Sequence, residues 1–318
     1  MSKNEAAGDS TWRVLCGDFR EQGCHVADES ADLVIVDPPY NIGYEGYDTY
    51  DDSPDEEKFL DLLGCLFAEV WRVLKPNGTF WLVIGDEQVA QARLMASRRT
   101  LLSRAWGCGS EEDGFHLRSW VVQYFTFGVS LPNNFARSHV HMLYFTKHKK
   151  KFTFNADSQD LRVPSARQLV YNDKRANPKG KLPDNTWILS PLELPAAFSD
   201  FEDTWMASRV CGTFKERADR GKYGEKKGTP QMPLKIVERM VLATSNPGDL
   251  VVDFMVGTGT TGVAAVSLGR KFFGCDISAV CCEMSRDRLR SIATAKEGRC
   301  AKVKTTKKKA AKQPATGT

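Results

Sequence analysis

The sequence has no Cys-x-x-Cys pair, no Pro-Cys pair, and no apolar run near the roughly 18 residues that a membrane-spanning helix requires. Its opening, Met-Ser-Lys-Asn-Glu-Ala-Ala-Gly-Asp-Ser, has no apolar signal region, which predicts a soluble, cytoplasmic protein without membrane contact. The nine cysteines are odd in number and scattered, and the neighbours Cys281 and Cys282 are adjacent, a spacing that suits neither a disulfide nor zinc. They read as reduced, mostly buried thiols, and no metal is expected. A general excess of positive charge is missing too. The net +4 comes from the end of the chain, where Lys302, Lys304, Lys307, Lys308, Lys309 and Lys312 stand without an acid; without them 38 basic residues face 40 acidic ones. Attraction to polyanions must therefore be local, in that tail and in the Lys147 to Lys151 cluster.

What is present is an alternation of strands and helices without an internal repeat. Trp12 to Leu15, Ala31 to Val36 and Thr79 to Ile84 are short apolar runs bounded by Gly, Asp or Pro. Between the last two, Phe59, Leu62, Leu63, Leu66, Phe67, Val70 and Leu74 recur at helical spacing over Asp55 to Leu74, stopping at Pro76-Asn77-Gly78. A helix from Glu87 to about Trp106 and two strands, Leu117 to Val129 and Ser138 to Phe145, follow. Periodicity then lapses from Lys147 to about Thr229, too long a stretch for a connecting loop. It returns as helix Pro233 to Thr244, strand Leu250 to Phe254, helix Gly262 to Leu268, strand Lys271 to Asp276 and a helix from Ala279 to about Ala293. The pattern predicts one α/β, doubly wound, mostly parallel sheet built from both chain ends around an insert.

Two motifs carry chemistry. Asp37-Pro38-Pro39-Tyr40 closes an apolar strand, and its two prolines remove two backbone donors and fix φ. That holds the Asp37 carboxylate and the Pro38 carbonyl as rigid acceptors beside an aromatic ring. An exocyclic amine is a poor nucleophile because its lone pair is delocalised into the ring. Two acceptors pulling on its hydrogens localise that pair on nitrogen, while Tyr40 stacks on the base.

The second motif, Asp253-Phe254-Met255-Val256-Gly257-Thr258-Gly259-Thr260-Thr261-Gly262, reads as strand, glycine loop and helix start, where backbone amides can approach a ligand. No Gly-Lys-Ser/Thr follows, which disfavours nucleotide triphosphates. Asp276, at the end of the next strand, is an acid placed to grip ribose hydroxyls. A nucleoside cofactor fits, either NAD or S-adenosylmethionine. If the strands ending at Asp37 and Asp253 flank the crevice where strand order reverses, that cofactor lies beside a device for activating an amine, and methyl transfer to nitrogen follows.

Asp37-Pro-Pro-Tyr-Asn-Ile-Gly-Tyr44, Glu69-Val-Trp-Arg-Val-Leu-Lys-Pro-Asn-Gly78 and Asp253 to Gly262, in this order, resemble the DNA amino-methyltransferases of the permuted beta group, over about Val14 to Leu289 apart from the insert. The resemblance implies a circularly permuted fold of the S-adenosylmethionine-dependent methyltransferase type. It implies a catalytic tetrad at Asp37, Pro38, Pro39 and Tyr40. It implies cofactor contacts from Asp18, Asp37, Asp253, Phe254, Gly257, Gly259, Thr260, Thr261 and Asp276, with Asp18 at the adenine and Asp276 at the ribose. His139 sits where the family often has His-Glu, and reads as a structural histidine. Met255, Val140 and the Gly228 to Pro233 stretch depart from the family pattern without removing a group that the chemistry requires.

These readings predict a site-specific DNA methyltransferase, belonging with restriction-modification and acting by base flipping on N6 of adenine, because family members that act on N4 of cytosine more often begin their tetrad with Ser. N4-cytosine, an inactive DNA-binding module and an RNA methyltransferase are the alternatives. A 5-methylcytosine enzyme is excluded with the missing Pro-Cys. The expected division is a target-amine half over 1–150, a target-recognition insert over 151–227, a cofactor half over 228–295 and a basic disordered tail over 296–318. DNA contacts are expected at Lys149, Lys150, Lys174, Arg175 and Lys179. DNA is the expected partner, and a homodimer and a cognate restriction endonuclease are compatible with the reading.

Overall fold

The computed structural model describes residues 11–53, 55–97, 114–125, 132–133, 135, 138–189 and 231–292. Along the chain these form β1 (Trp12–Cys16), α1 (Phe19–Gln22), β2 (Ala31–Val36), α2 (Glu56–Val73), β3 (Leu74–Ile84), α3 (Val89–Ser97), β4 (His116–Phe125) and β5 (His139–Thr146). Then come α4 (Ala166–Leu169), β6 (Thr186–Leu189), α5 (Leu234–Thr244), β7 (Leu250–Asp253), α6 (Thr260–Ser267) and β8 (Lys271–Asp276), and a helix over 279–292, α7. The strands make one eight-stranded sheet in the order β1-β8-β7-β2-β3-β5-β4-β6. All neighbours are parallel except that β5 runs antiparallel to β3 and β4.

The parallel strands are covered on both faces, so they are apolar throughout rather than alternating. In β2, Val34 and Val36 face α2 and pack with Phe59, Leu63, Phe67 and Phe80, whereas Leu33 and Ile35 face α5 and pack with Ile236, Val237 and Met240. α2 starts where Asp55 caps it by accepting from the Lys58 amide, and Glu56 and Glu57 lie in its first turn, where negative charge suits the helix dipole. Each fully buried side chain of its apolar stripe contributes about 1.5–3 kcal/mol.

Four places can be set beside the sequence expectations. Helix α2 does not run to a turn at Pro76 but ends at Val73, and Leu74 already pairs with Ala31; pairing resumes at Leu33 with Thr79, so the residues between bulge out of β3. That bulge tolerates Pro76, which has no amide to give a ladder. The α3 helix is described only over Val89–Ser97, and the remainder of the expected helix lies outside the described residues. Cys16 and Cys24 are exposed, so the expectation of mostly buried thiols holds for Cys275, Cys281 and Cys282 but not for these two.

The fourth concerns the insert. At its start the Asn155 side-chain amide donates to the carbonyls of Leu242 and Ser245, and the Asn155 backbone amide to Ala243, which caps the end of α5. Near Thr186–Leu189 it becomes β6, hydrogen-bonded to β4 as the last strand of the sheet. The described part of the insert is thus joined to the sheet layer at both ends. Residues 190–227, and the tail beyond residue 292, lie outside the described residues.

Candidate active site

β2 and β7 lie side by side and parallel, with Leu33 opposite Val251 and Val34 opposite Val252. From β7 the sheet proceeds to β8 and β1, and from β2 to β3 in the other direction, so strand order reverses between them. A crevice opens at the carboxyl ends of such a pair. Here it is a cavity of about 740 Å³, lined by Asp18, Asp37, Pro38, Pro39, Tyr40, Asp253, Phe254, Gly257, Thr260, Thr261 and Asp276 among others. Residues far apart in sequence and read as two motifs therefore share one wall.

On the β2 side, the Tyr40 hydroxyl donates to Asp37 Oδ1 at 2.7 Å. The Tyr40 ring lies against the end of β3, where a methyl group on Gly85 would come within 3.3 Å of it. The turn that follows depends on Asp52, a carboxylate only 3% exposed. It accepts from the backbone amides of Asn41 at 2.8 Å, Ile42 at 3.1 Å and Tyr44 at 3.0 Å. Asn41 itself adopts a left-handed φ of 57°, and its side-chain oxygen accepts from the Asp55 amide, joining the turn to the start of α2. Beyond it, Tyr44, Tyr47 and Tyr50 stand edge to face, with ring centroids 5.1 and 5.9 Å apart, and all three line the cavity. Burial, and then the nearby Asp37 and Asp52, raise the Tyr47 phenol well above its usual range. Ser278 donates to Asp48 at 2.7 Å, so this loop reaches from the tetrad across to the end of β8.

On the β7 side, Asp253 accepts from the Met255 amide at 3.0 Å and Asp276 from the Gly257 amide at 2.8 Å. Gly259 caps α6 with φ at 85°, and a side chain there would strike the Ser285 backbone at 2.9 Å. It shapes the loop without lining the cavity. Burial pushes the carboxyls of Asp37 and Asp253 up to about 7 each, opposed at Asp37 by the Tyr40 hydrogen bond. Burial also raises Asp276. Asp18 is lowered instead, because Arg20 hydrogen-bonds to its carboxylate.

This charge distribution tests which cofactor the residues fit. Seven aspartates and Glu87 line the cavity against one arginine, Arg20, and one histidine, His139. Such a wall repels the pyrophosphate of NAD and attracts a cation, and S-adenosylmethionine carries positive charge on both its sulfonium and its ammonium groups.

The other predicted positions are distributed differently. His139 lines the cavity, edge-on to His141 at 4.9 Å, and His141 accepts from the Trp120 indole at 2.9 Å. Burial, with His139 beside it, lowers the His141 pKa. Lys149, Lys150, Lys174, Arg175 and Lys179 are exposed and none lines the cavity. Arg175 is already bound to Asp173 through two hydrogen bonds of 3.0 Å. Lys147 leaves the basic cluster: its side chain, 10% exposed, is a brace that donates to the carbonyls of Trp71 and Leu74 at 2.8 Å each. Sequence reasoning missed Asp52 and Gln123. Asp52 looks like any acid of its acidic loop, and Gln123 was read only as a strand residue.

A mostly parallel sheet of this order, with an acidic crevice at its switch point, fits an S-adenosylmethionine-dependent methyltransferase. The model of the family described as DNA methylase matches residues 31–287, and the chain belongs to that family. The chain is 32% identical over 279 residues to the Type II methyltransferase M.HpaI of Haemophilus parainfluenzae, covering 88% of this chain and 74% of that protein. It is 29% identical to the DNA adenine methyltransferase YhdJ of Escherichia coli (strain K12), covering 89% and 84%. Among solved structures, the cytosine-N4-specific PvuII DNA methyltransferase superposes with a TM-score of 0.58 at 17% identity, covering 90% of this chain and 91% of that one. A putative DNA modification methylase of Thermus thermophilus, complexed with S-adenosyl-L-methionine, superposes with a TM-score of 0.52 at 21% identity, covering 88% and 95%. The chain is thus a DNA amino-methyltransferase acting on N6 of adenine or N4 of cytosine, with S-adenosylmethionine as cofactor. No helix among the described residues is long and apolar enough to cross a membrane.

Proposed function

We propose that the chain methylates N6 of adenine at specific DNA sites, on a base taken out of the duplex. The observation that carries the reading is the rigid acceptor pair after β2: the Asp37 carboxylate, held by Tyr40 at 2.7 Å, beside the Pro38 carbonyl. The leading Asp, rather than Ser, favours adenine by the resemblance already described, and the adenine methyltransferase among the relatives is consistent with it.

Each residue then has a task. Asp37 and the Pro38 carbonyl accept the two amine hydrogens and concentrate the lone pair on nitrogen. Pro39 keeps the turn extended, and Tyr40 offers its ring face to the base and its hydroxyl to Asp37. On the other side, Phe254 forms apolar wall, Asp276 accepts from ribose hydroxyls, Asp18 from the cofactor's adenine amine, and the Gly257 to Thr261 loop presents backbone amides. Bound S-adenosylmethionine supplies an electrophilic methyl group on a sulfonium centre. Once nitrogen has been alkylated it must lose a proton, for which Asp37 is the adjacent acceptor. The target amine is shielded inside a duplex, so the base must be extruded at a cost of a few kcal/mol, which the amine hydrogen bonds and ring stacking offset. Exposed Lys149, Lys150, Lys174 and Lys179 would take phosphates. A restriction endonuclease of matching specificity is the proposed companion, in keeping with the similarity to a Type II methyltransferase.

The test is transfer of labelled methyl from the cofactor to unmethylated genomic DNA, followed by hydrolysis to nucleosides. The expected product is N6-methyldeoxyadenosine; label on N4 of deoxycytidine would replace the adenine reading. Asp37→Ala should lose at least roughly 10²–10³-fold in turnover, the cost of removing one preorganised polar group at a reacting centre, while still binding cofactor. Near-normal turnover in that variant would refute the catalytic assignment.

A further inference from the structure

Gln123 is a polar residue in an apolar place. The α5-facing side of the sheet carries Ile35 of β2, Val83 of β3, Met142 of β5 and Val121 of β4 in one hydrophobic cluster. Because strand side chains alternate, residues two steps further toward the cavity share that face: Asp37, Gly85, Val140 and Gln123. All four line the cavity. Gln123 pairs in register with Val140, one pleat beyond the Val83–Met142 pair. It therefore stands across the cavity mouth from Asp37, three strands away, or roughly 14 Å at the usual strand spacing. Side chains reaching inward from both ends leave a gap on the scale of one base with its hydrogen bonds.

The Gln123 residue is 5% exposed, and its side-chain amide makes no hydrogen bond with any described residue. Among its described face neighbours, Val121, Val140 and Met142 have apolar side chains that cannot supply one. Because the residue lines the cavity, the carboxamide is placed at the space that a ligand would fill. A ligand of the cavity with a matching acceptor would complete its pairing.

We propose that Gln123 is a specificity-determining residue, donating its side-chain N–H to the ring nitrogen next to the reacting amine: N1 of adenine, or N3 of cytosine. The proposal rests on the reading that Asp37 and Pro38 hold that amine. In adenine and cytosine this nitrogen is an acceptor, so the amine and ring nitrogen together present the donor–acceptor edge that the two walls match. Guanine and thymine are refused at the Asp37 end, where a carbonyl oxygen would face two acceptors. Gln123 fixes the rotation of the accepted base in its own plane, which aims the amine.

The experiment compares wild type with Gln123→Met and Gln123→Glu. The substrate is an oligonucleotide bearing whichever base the wild type methylates, and the same oligonucleotide with the ring nitrogen replaced by C–H (1-deazaadenine or 3-deazacytosine). Gln123→Met should lose roughly 10- to 100-fold in kcat/KM, the factor expected for one buried hydrogen bond, with cofactor affinity and melting temperature unchanged. The deaza substitution should cost the wild type a similar factor and the Met variant almost nothing further. Gln123→Glu should regain activity as the pH falls and its carboxyl gains a proton to donate. Equal analogue losses in wild type and variant, wild-type kcat/KM in Gln123→Met, or a Met variant with lowered melting temperature and weakened cofactor binding would each overturn the assignment. A cytosine product would displace the adenine reading and leave the Gln123 cycle interpretable on 3-deazacytosine.

Discussion

Two carboxyls decide the electrostatics of this site. Asp37 and Asp253 both retain a proton up to about 7 because burial disfavours their charged forms. A cationic cofactor favours those charged forms, so its binding must drive protons off. Above pH 7 the acids are ionised already and binding releases little; at pH 7 each free acid is about half protonated and release is under way; below it release grows, and affinity falls with pH as the proton competes with the cation. Calorimetry of S-adenosylmethionine binding at pH 7 in buffers of different ionisation enthalpy should show proton release, and Asp253→Asn should reduce it. A binding enthalpy independent of the buffer would contradict this picture. That Asp37 belongs to the site was legible from its neighbours in sequence, because Pro-Pro-Tyr after an apolar strand marks the end of β2, which opens onto the cavity. That of Asp52 was not, since Asp48 and Asp51 look the same until the fold shows which one receives the three backbone amides.

Among the elements, the junction of α2 with β3 depends on a side chain from β5's far end. Lys147 reaches back to the Trp71 and Leu74 carbonyls, and its ammonium lies 5.1 Å from the centre of the Trp71 ring. Those carbonyls end a helix and begin a strand without an intervening turn. Lys147→Met keeps the stem and removes the charge, leaving both carbonyls without that donor. It should cost about 1.5–3 kcal/mol, the range for hydrogen bonds to a charged group, read as a lower urea midpoint at an unchanged slope. The salt dependence of DNA binding should be unaffected. A changed salt slope would return Lys147 to the basic surface where sequence position alone had put it. Strand and helix cores were legible here because burial imposes periods of 2.0 and 3.6 residues. Their limits were less so: at Val73 and Leu74 the chain changes from helix to strand within an apolar run, and only pairing with Ala31 sets the boundary.

For the whole molecule, the open question is where DNA is held. The six tail lysines should contribute mainly through counterion release. Removal of residues 301–318 is predicted to leave sequence preference intact while reducing the slope of log K against log salt by as much as about 5. An unchanged slope would show the tail to be idle. In the insert, Lys174→Ala and Lys179→Ala should weaken binding to all sequences alike, without altering cofactor affinity. Arg175→Ala should do less, because its guanidinium is already engaged by Asp173. Parallel loss of cofactor affinity would mean that this segment serves the catalytic core, to which Asn155 and β6 already bind it.

The sequence by itself determined the layered sheet, the acceptor motif at Asp37 to Tyr40 and the glycine loop, because each follows from local constraints: burial periodicity, proline geometry and the space glycine leaves. Only the tertiary structure decided that β7 lies beside β2, so that the two motifs share one cavity. It likewise placed Gln123 on the opposite wall and turned Lys147 onto the junction of α2 with β3. Strand adjacency across more than 200 residues, and the face on which a strand residue lands, are set by packing of the whole sheet, and no local pattern carries that information.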